Sequence, residues 1–202
     1  HRVDRRQRQM CIRDSNGTDS AIEGGAVPAS SAGAAAAGVA TKQAGKDAIA
    51  LESPLEGEAV ALSEVPDPIF AAAKLGPGMA VQPAGNAVFA PADGKVLTVQ
   101  KSGHAVGLSL DNGVQLLIHV GLDTVELGGE GFEVHVEKKQ RVSAGDKLIS
   151  FDPEFIRSKG YNLITPVVVT NATKFGTVTG EPGQVSSSDV LLHISPKAED
   201  AE

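Results

Sequence analysis

From residue 51 onward, apolar and polar positions alternate in short runs, broken roughly every eight to twelve residues by Gly, Pro, Asp and Asn. The breaks read Gly76-Pro77-Gly78, Pro83-Ala84-Gly85-Asn86, Pro91-Ala92-Asp93-Gly94, Asp111-Asn112-Gly113 and Glu181-Pro182-Gly183. Between them lie β-rich runs at 95–100, 105–110, 114–120, 147–151, 166–170 and 190–194. Branched side chains suit a pleated, half-buried surface, and strands at this spacing predict an all-β sandwich or barrel. Only residues 67–75 and 153–160 offer a helical turn or two.

One predicted hairpin brings chemistry together. Asp111-Asn112-Gly113 separates the run 103–110 from the run 114–120, and these residue types tolerate the positive φ of tight turns. A two-residue loop, Asp111-Asn112 or Asn112-Gly113, gives a register with an odd index sum. His104 then lies opposite His119, or one diagonal step away, on the same face. Directly opposed Cβ atoms are about 4.5–5.5 Å apart and diagonal ones about 7–8 Å, so either arrangement lets two imidazoles converge. A three-residue loop would put the rings on opposite faces unless a bulge intervened.

Composition narrows the function classes. The 202 residues are 41% apolar and 21% charged, enough for one core. Aromatics are 3%, with no Trp, and the net charge is −7; base-stacking platforms and phosphate-backbone binders are thereby disfavoured, and no nucleic-acid partner is expected. One Cys excludes an internal disulfide and multi-cysteine zinc sites. No run of about 18 apolar residues exists to span a membrane, and a cytoplasmic setting is expected.

Charge and texture change along the chain. Residues 1–50 hold seven Lys/Arg and five Asp/Glu, whereas residues 51–202 hold eleven and twenty. The opening HRVDRRQRQMCIRDS lacks the apolar core of a secretory signal. It reads as a solvated charge run or as non-native translated sequence. The stretch GGAVPASSAGAAAAGVA at 24–40 reads as a flexible tether. The expected organisation is therefore a tail and linker at 1–50, a domain at 51–197 and an acidic tail at 198–202.

Among five histidines, His1 belongs to the tail, His193 reads as a packing or edge residue, and His135 as a solvent-facing strand residue. His119 differs, because it interrupts the apolar run Leu116-Leu117-Ile118 just before Gly121. A glycine there opens space beside the ring for another backbone or a partner. Asp123 and Thr124 follow at once, and a carboxylate can fix an imidazole tautomer. A ring with a pKa near 6.5 is mostly neutral at pH 7 and can act as a nucleophile. No G-x-x-x-x-G-K-[ST], strand-to-helix G-x-G-x-x-G, H-E-x-x-H or G-x-S-x-G occurs, so the chain carries no equipment for taking phosphate from ATP itself.

The string Ile118-His-Val-Gly-Leu-Asp-Thr-Val-Glu-Leu127, followed by Gly129-Glu-Gly-Phe132, closely resembles the active-site signature of glucose-class enzyme IIA, the phosphocarrier domain of the bacterial phosphoenolpyruvate-dependent sugar phosphotransferase system. Ser53-Pro-Leu-Glu-Gly-Glu58, Val65-Pro-Asp-Pro-Ile-Phe70, Gly76-Pro-Gly-Met-Ala80, Ala90-Pro-Ala-Asp-Gly94, Ser102-Gly-His-Ala105, Gln140-Arg-Val142, Gly145-Asp146 and Thr165-Pro-Val167 fall in the family's order. The resemblance covers residues 51–195 and implies an antiparallel β-sandwich (a duplicated hybrid motif of barrel-sandwich type) with one or two short helical turns. It implies that His119 accepts a phosphoryl group through Nε2 from the carrier HPr and passes it to a cysteine of an enzyme IIB domain. His104 would hold the phosphoryl oxygens, Ser102 (where the family carries Thr) would orient His104, and Thr124 would support the site. Asp67 and Asp123 would flank it, with Ile69, Phe70 and Val125 in an apolar rim that meets partners. Pro68, Lys74, Gln100 and Gly107 stand where larger apolar groups are expected.

No cofactor is implied for the transfer. The resemblance further implies zinc held by His104 and His119 at a regulatory interface, with a transporter or kinase completing the site. Two readings from other classes compete. A zinc peptidase is suggested by the His119-x-x-x-Asp123 spacing, but it lacks an H-x-H element, His135-Val136-Glu137 being the nearest approach. A biotinyl or lipoyl carrier is suggested by Ala90-Pro-Ala-Asp-Gly94-Lys95, but no Lys sits at a hairpin tip between apolar residues. A regulatory binding module is compatible with the carrier role.

Overall fold

The computed structural model describes residues 48–197. The basic opening, the Ala/Gly/Ser stretch and the acidic end at 198–202 lie outside the described residues. The strands are β1 (Ile49–Glu52), β2 (Gly57–Ala61), β3 (Gly78–Pro83), β4 (Ala87–Phe89), β5 (Gly94–Val99), β6 (Ala105–Leu110) and β7 (Gln115–His119). They continue as β8 (Phe132–Val134), β9 (Arg141–Val142), β10 (Lys147–Phe151), β11 (Thr165–Val169), β12 (Phe175–Thr179), β13 (Gly183–Val185) and β14 (Val190–Pro196). Helical turns are short, α1 (Pro68–Ala71) and α2 (Pro153–Ser158), and each follows an Asp that caps it and a Pro at its first position. The all-β antiparallel expectation therefore holds.

The strands form an eight-stranded sheet in the order β13-β2-β3-β11-β7-β6-β5-β9 and two three-stranded sheets, β1-β14-β12 and β4-β10-β8. Every pairing is antiparallel. One face of the large sheet carries Val106, Leu108, Leu116, Ile118, Val167 and Val169 into the main core. The other face carries Leu117 and Val168 onto a second cluster with Leu62, Val65, Phe70, Leu122 and Ile164. Strand β11 is thus covered on both sides, which is why all five of its residues are buried and it reads as a continuous apolar run. His119 shares the parity of Leu117 and so belongs to the side of the second cluster.

The β6–β7 hairpin departs from the two-residue loop. Leu110 pairs with Val114, and Asp111-Asn112-Gly113 together form the loop, with the Gly113 N–H donating to the Leu110 carbonyl at 2.9 Å. Gly113 has φ of 87°, the left-handed residue that closes a three-residue turn. Asn171, only 8% exposed, holds the turn by accepting from the Gln115 N–H at 2.8 Å and donating to the Gly113 carbonyl at 2.9 Å. The register is consequently even, with Ala105 facing His119 and the His104 carbonyl accepting the Val120 N–H. Strict alternation would separate the histidines. They meet because His104 precedes β6 while His119 ends β7, so the rings come together round the open end of the ladder.

The first strand starts at Ile49, two residues ahead of the expected domain boundary, because Ile49 pairs with Ile194 and Leu51 with Leu192. Leu51 is 1% exposed. Removing residues 1–47 should leave the melting temperature unchanged within error. Removing residues 1–52 deletes β1 and its core leucine, and should lower melting by at least about 5 °C, since a lost core leucine costs roughly 2–5 kcal/mol. Differential scanning calorimetry of both truncations checks this.

Candidate functional site: two histidines at the end of a hairpin

The His104 and His119 rings stand 4.7 Å apart between centroids, with their planes inclined at 64°. Phe70 supports His119 from the second cluster, its ring centroid 5.4 Å away. His119 is half-buried and His104 is 5% exposed. Both predicted histidines therefore converge, although by a route that strand parity did not give.

The tautomer of His119 follows from its partner. Nδ1 lies 2.7 Å from the Gly121 carbonyl oxygen, and a carbonyl can only accept. The proton is therefore on Nδ1, and Nε2 keeps its lone pair. The carboxylate expected in this role, Asp123, is exposed and in the left-handed conformation, with φ of 56°. Its influence on the ring is electrostatic. Gly121 itself needs φ of 73°, and a Cβ there would sit 2.6 Å from Thr124 Cγ2 and 2.8 Å from the Asn162 carbonyl oxygen. The space that a side chain on Gly121 would need is taken by the Thr124 side chain and the Asn162 backbone.

Ser102 Oγ lies 2.6 Å from His104 Nδ1, so Ser serves where the family carries Thr. Thr124 is completely buried and donates its hydroxyl to the Val120 carbonyl at 2.6 Å. Asp67 is half-buried and spends Oδ1 on the amide N–H groups of Ile69 and Phe70, capping α1. Ile69 and Val125 are exposed at 46% and 55%, as a docking rim requires. Phe70, expected in that rim, is only 6% exposed and packs against His119, so its main contact is with the ring rather than with solvent. Pro68 at the first position of α1 explains one unusual residue, because its fixed φ suits that position. Gly107 explains another, since a Cβ there would come within 2.9 Å of Thr98 Cγ2 on the bulged strand β5. Nothing in the structure explains Lys74 or Gln100.

Burial dominates the electrostatics. It pushes His104 down from 6.5 to about 4, with the neighbouring His119 adding a smaller depression. It also lowers His119, against smaller upward pulls from the Gly121 carbonyl, Asp67 and Asp123. Both rings are consequently neutral at pH 7, and Nε2 of His119 is a nucleophile.

Other arrangements fit competing chemistry less well. His135 Nε2 meets the Ser150 hydroxyl at 2.7 Å and Glu133 at 3.9 Å. A hydrolytic triad needs its carboxylate on the opposite ring nitrogen. An open hollow of about 590 Å³, lined by Asn86, Phe132, Ser150 and Asp152 among others, contains neither His104 nor His119. Among the described residues no three or more His, Cys, Asp or Glu side chains cluster as a metal site, and no helix is long and apolar enough to cross a membrane.

A family described as phosphoenolpyruvate-dependent sugar phosphotransferase system, EIIA 1, matches residues 49–175, and the chain belongs to that family. Within it, the chain is similar to components named for particular sugars. The glucose-specific EIIBCA component of Corynebacterium glutamicum is 63% identical over 160 residues, covering 78% of this chain and 24% of that protein. The mannose-specific EIIBCA component of the same species is 62% identical over 159 residues, covering 78% and 23%. The chain thus spans about a quarter of the length of these relatives. The solved glucose permease IIA from Mycoplasma capricolum superposes with a TM-score of 0.67 at 34% identity, covering 73% of this chain and 96% of that one. The zinc-peptidase reading is not favoured.

The depressed His104 gives a pH test of the fold. Above pH 6.5 both folded and unfolded chains carry a neutral ring. As pH falls from 6.5 toward about 4, the unfolded chain takes up a proton that the folded chain refuses, and stability is lost. In His104→Gln this contribution disappears. Its stability should fall less steeply over that window, by up to about 1.4 kcal/mol per pH unit, in urea melts run in parallel with the unsubstituted protein.

Proposed function

We propose that this chain is the phosphocarrier domain of a bacterial sugar phosphotransferase system. His119 takes a phosphoryl group from phosphorylated HPr and hands it to the cysteine of an enzyme IIB domain, in the cytoplasm. The observation that carries the reading is the Nδ1–H bond to the Gly121 carbonyl, which leaves Nε2 unprotonated beside a second imidazole. Membership of the EIIA family supports it, and the EIIBCA relatives support an enzyme IIB partner. Their names point to glucose or mannose as the sugar class.

The chemistry needs positioning and charge balance more than covalent work. The Nε2 lone pair forms the new N–P bond as the donor histidine's N–P bond breaks, and no proton has to leave Nε2. The ring gains positive charge as it bonds phosphorus. The Gly121 carbonyl on Nδ1–H, with Asp67 and Asp123 nearby, stabilises that charge. A positively charged ring is also the better leaving group for the second transfer. At His104, a phosphoryl oxygen has no proton to give and so favours the form in which Ser102 donates to Nδ1 and His104 donates from Nε2. The exposed Ile69 and Val125 suit small, transient interfaces with two successive partners.

The protein incubated with labelled phosphoenolpyruvate, enzyme I and HPr should gain one acid-labile phosphoryl group. His119→Ala should gain none. His104→Gln should still be labelled but pass the group to enzyme IIB roughly 10²–10³-fold more slowly. Label at full level in His119→Ala overturns the assignment.

The same two imidazoles supply half of a tetrahedral zinc set, and a carboxylate of a transporter or kinase and a water would complete it. Isothermal titration should show weak zinc binding by the protein alone. Phosphorylation of His119 should abolish it, because the phosphoryl group occupies the Nε2 that would ligate. Tight stoichiometric zinc without a partner would count against this.

A further inference from the structure

The Gly121 carbonyl can fix His119 only if the peptide that carries it is itself held in place. Two residues do so from opposite sides. Thr124 reaches back, its hydroxyl donating to the Val120 carbonyl at 2.6 Å, while its methyl group lies where any Cβ on Gly121 would sit, 2.6 Å away. Asn162 approaches from the loop after α2. Its backbone carbonyl accepts the Leu122 N–H at 2.8 Å and lies 2.8 Å from that same vacant Cβ position. Its side-chain Oδ1 accepts the Ile164 N–H at 2.9 Å, a local turn that aims the backbone carbonyl at Leu122. The peptides on both sides of Gly121 are thereby anchored, at Val120 and at Leu122. Tyr161, next to Asn162, adds a third tie by donating to Glu126 Oε2 at 3.0 Å.

We propose that Thr124 and Asn162 are positioning residues for His119, gripping the Val120–Leu122 turn so that the Gly121 carbonyl selects the Nδ1–H tautomer. Neither touches the ring or the transferred group. Thr124 is completely buried, whereas the Asn162 side chain is exposed, and a tight turn is all that its Oδ1 serves. The inference rests on His119 being the acceptor, but its test does not.

The test uses the full chain labelled with ¹⁵N-histidine and reads the His119 ring nitrogens by NMR at pH 7, where tautomer populations appear directly as chemical shifts. Thr124→Val keeps the bulk and loses the hydroxyl; Thr124→Ser keeps the hydroxyl. Asn162→Ala loses the turn acceptor; Asn162→Asp keeps it. In Thr124→Val and Asn162→Ala the ratio of Nδ1–H to Nε2–H should fall about fivefold, the weight of one neutral hydrogen bond, and the rate of labelling by HPr should track the remaining fraction of Nδ1–H rings. Thr124→Ser and Asn162→Asp should restore both. A folded Thr124→Val or Asn162→Ala with unchanged ring shifts would overturn the proposal, including when only its melting temperature drops. If Thr124→Val does not fold, the Asn162 pair decides alone. Ring shifts that move without any change in labelling would leave the clamp standing and count against the carrier reading.

Discussion

The hydrogen bond from His119 Nδ1 to the Gly121 carbonyl sets the terms for everything else at the site. A backbone carbonyl offers no proton, so one contact decides both where the ring's hydrogen sits and which nitrogen faces outward. A side-chain carboxylate could do the same, but it would place a full negative charge beside the ring. A peptide dipole holds the ring with less bias, and of the two carboxylates that also pull on it, Asp67 caps α1 through Oδ1 while Asp123 acts on the ring only through space. The constraint is geometric, and its requirement is a glycine that can turn back toward the residue two before it.

That requirement explains why the site lies where sheet order ends. Within the β6–β7 ladder, side chains alternate and neighbouring imidazoles would face apart. At its open end, the rings of His104 and His119 are released from alternation while their backbones remain paired through Ala105 and Val120. The second core cluster then meets His119 through Phe70. Phe70 under His119 and the burial of His104 keep both rings neutral, the state in which one can attack and the other can donate. Packing thus sets protonation, and protonation sets chemistry.

Much of this was legible in the sequence, for reasons that differ by residue. The six apolar runs all became strands, some alternating inward and outward as β5 does and others buried along most of their length as β6 and β11 are. Strands such as β8, β9 and β13 left no usable signal, being two or three residues long. His119 stood out because an imidazole has no packing reason to follow Leu-Leu-Ile. The hairpin register did not, since Asp-Asn-Gly accommodates loops of two or three residues and the choice was made by Asn171, some 58 residues away. Phe70 looked like rim beside Ile69, but adjacent residues of α1 point about 100° apart, which leaves Ile69 exposed and turns Phe70 into the core. Asn162 carried no chemical signal at all, because it acts through its backbone carbonyl.

The pairing of β1 with β14 has a mechanical meaning. Ile49 lies beside Ile194, so the points where the polypeptide enters and leaves this sheet are neighbours at one end of it. A load applied through both ends would peel those two strands apart one hydrogen bond at a time, a path that yields at low force, whereas parallel terminal strands would have to break together in shear. The same adjacency lets the domain be spliced into a longer polypeptide, or hung from one, without spreading its ends. A domain hung in this way turns freely about a single point of suspension, as a pendulum bob does about its pivot.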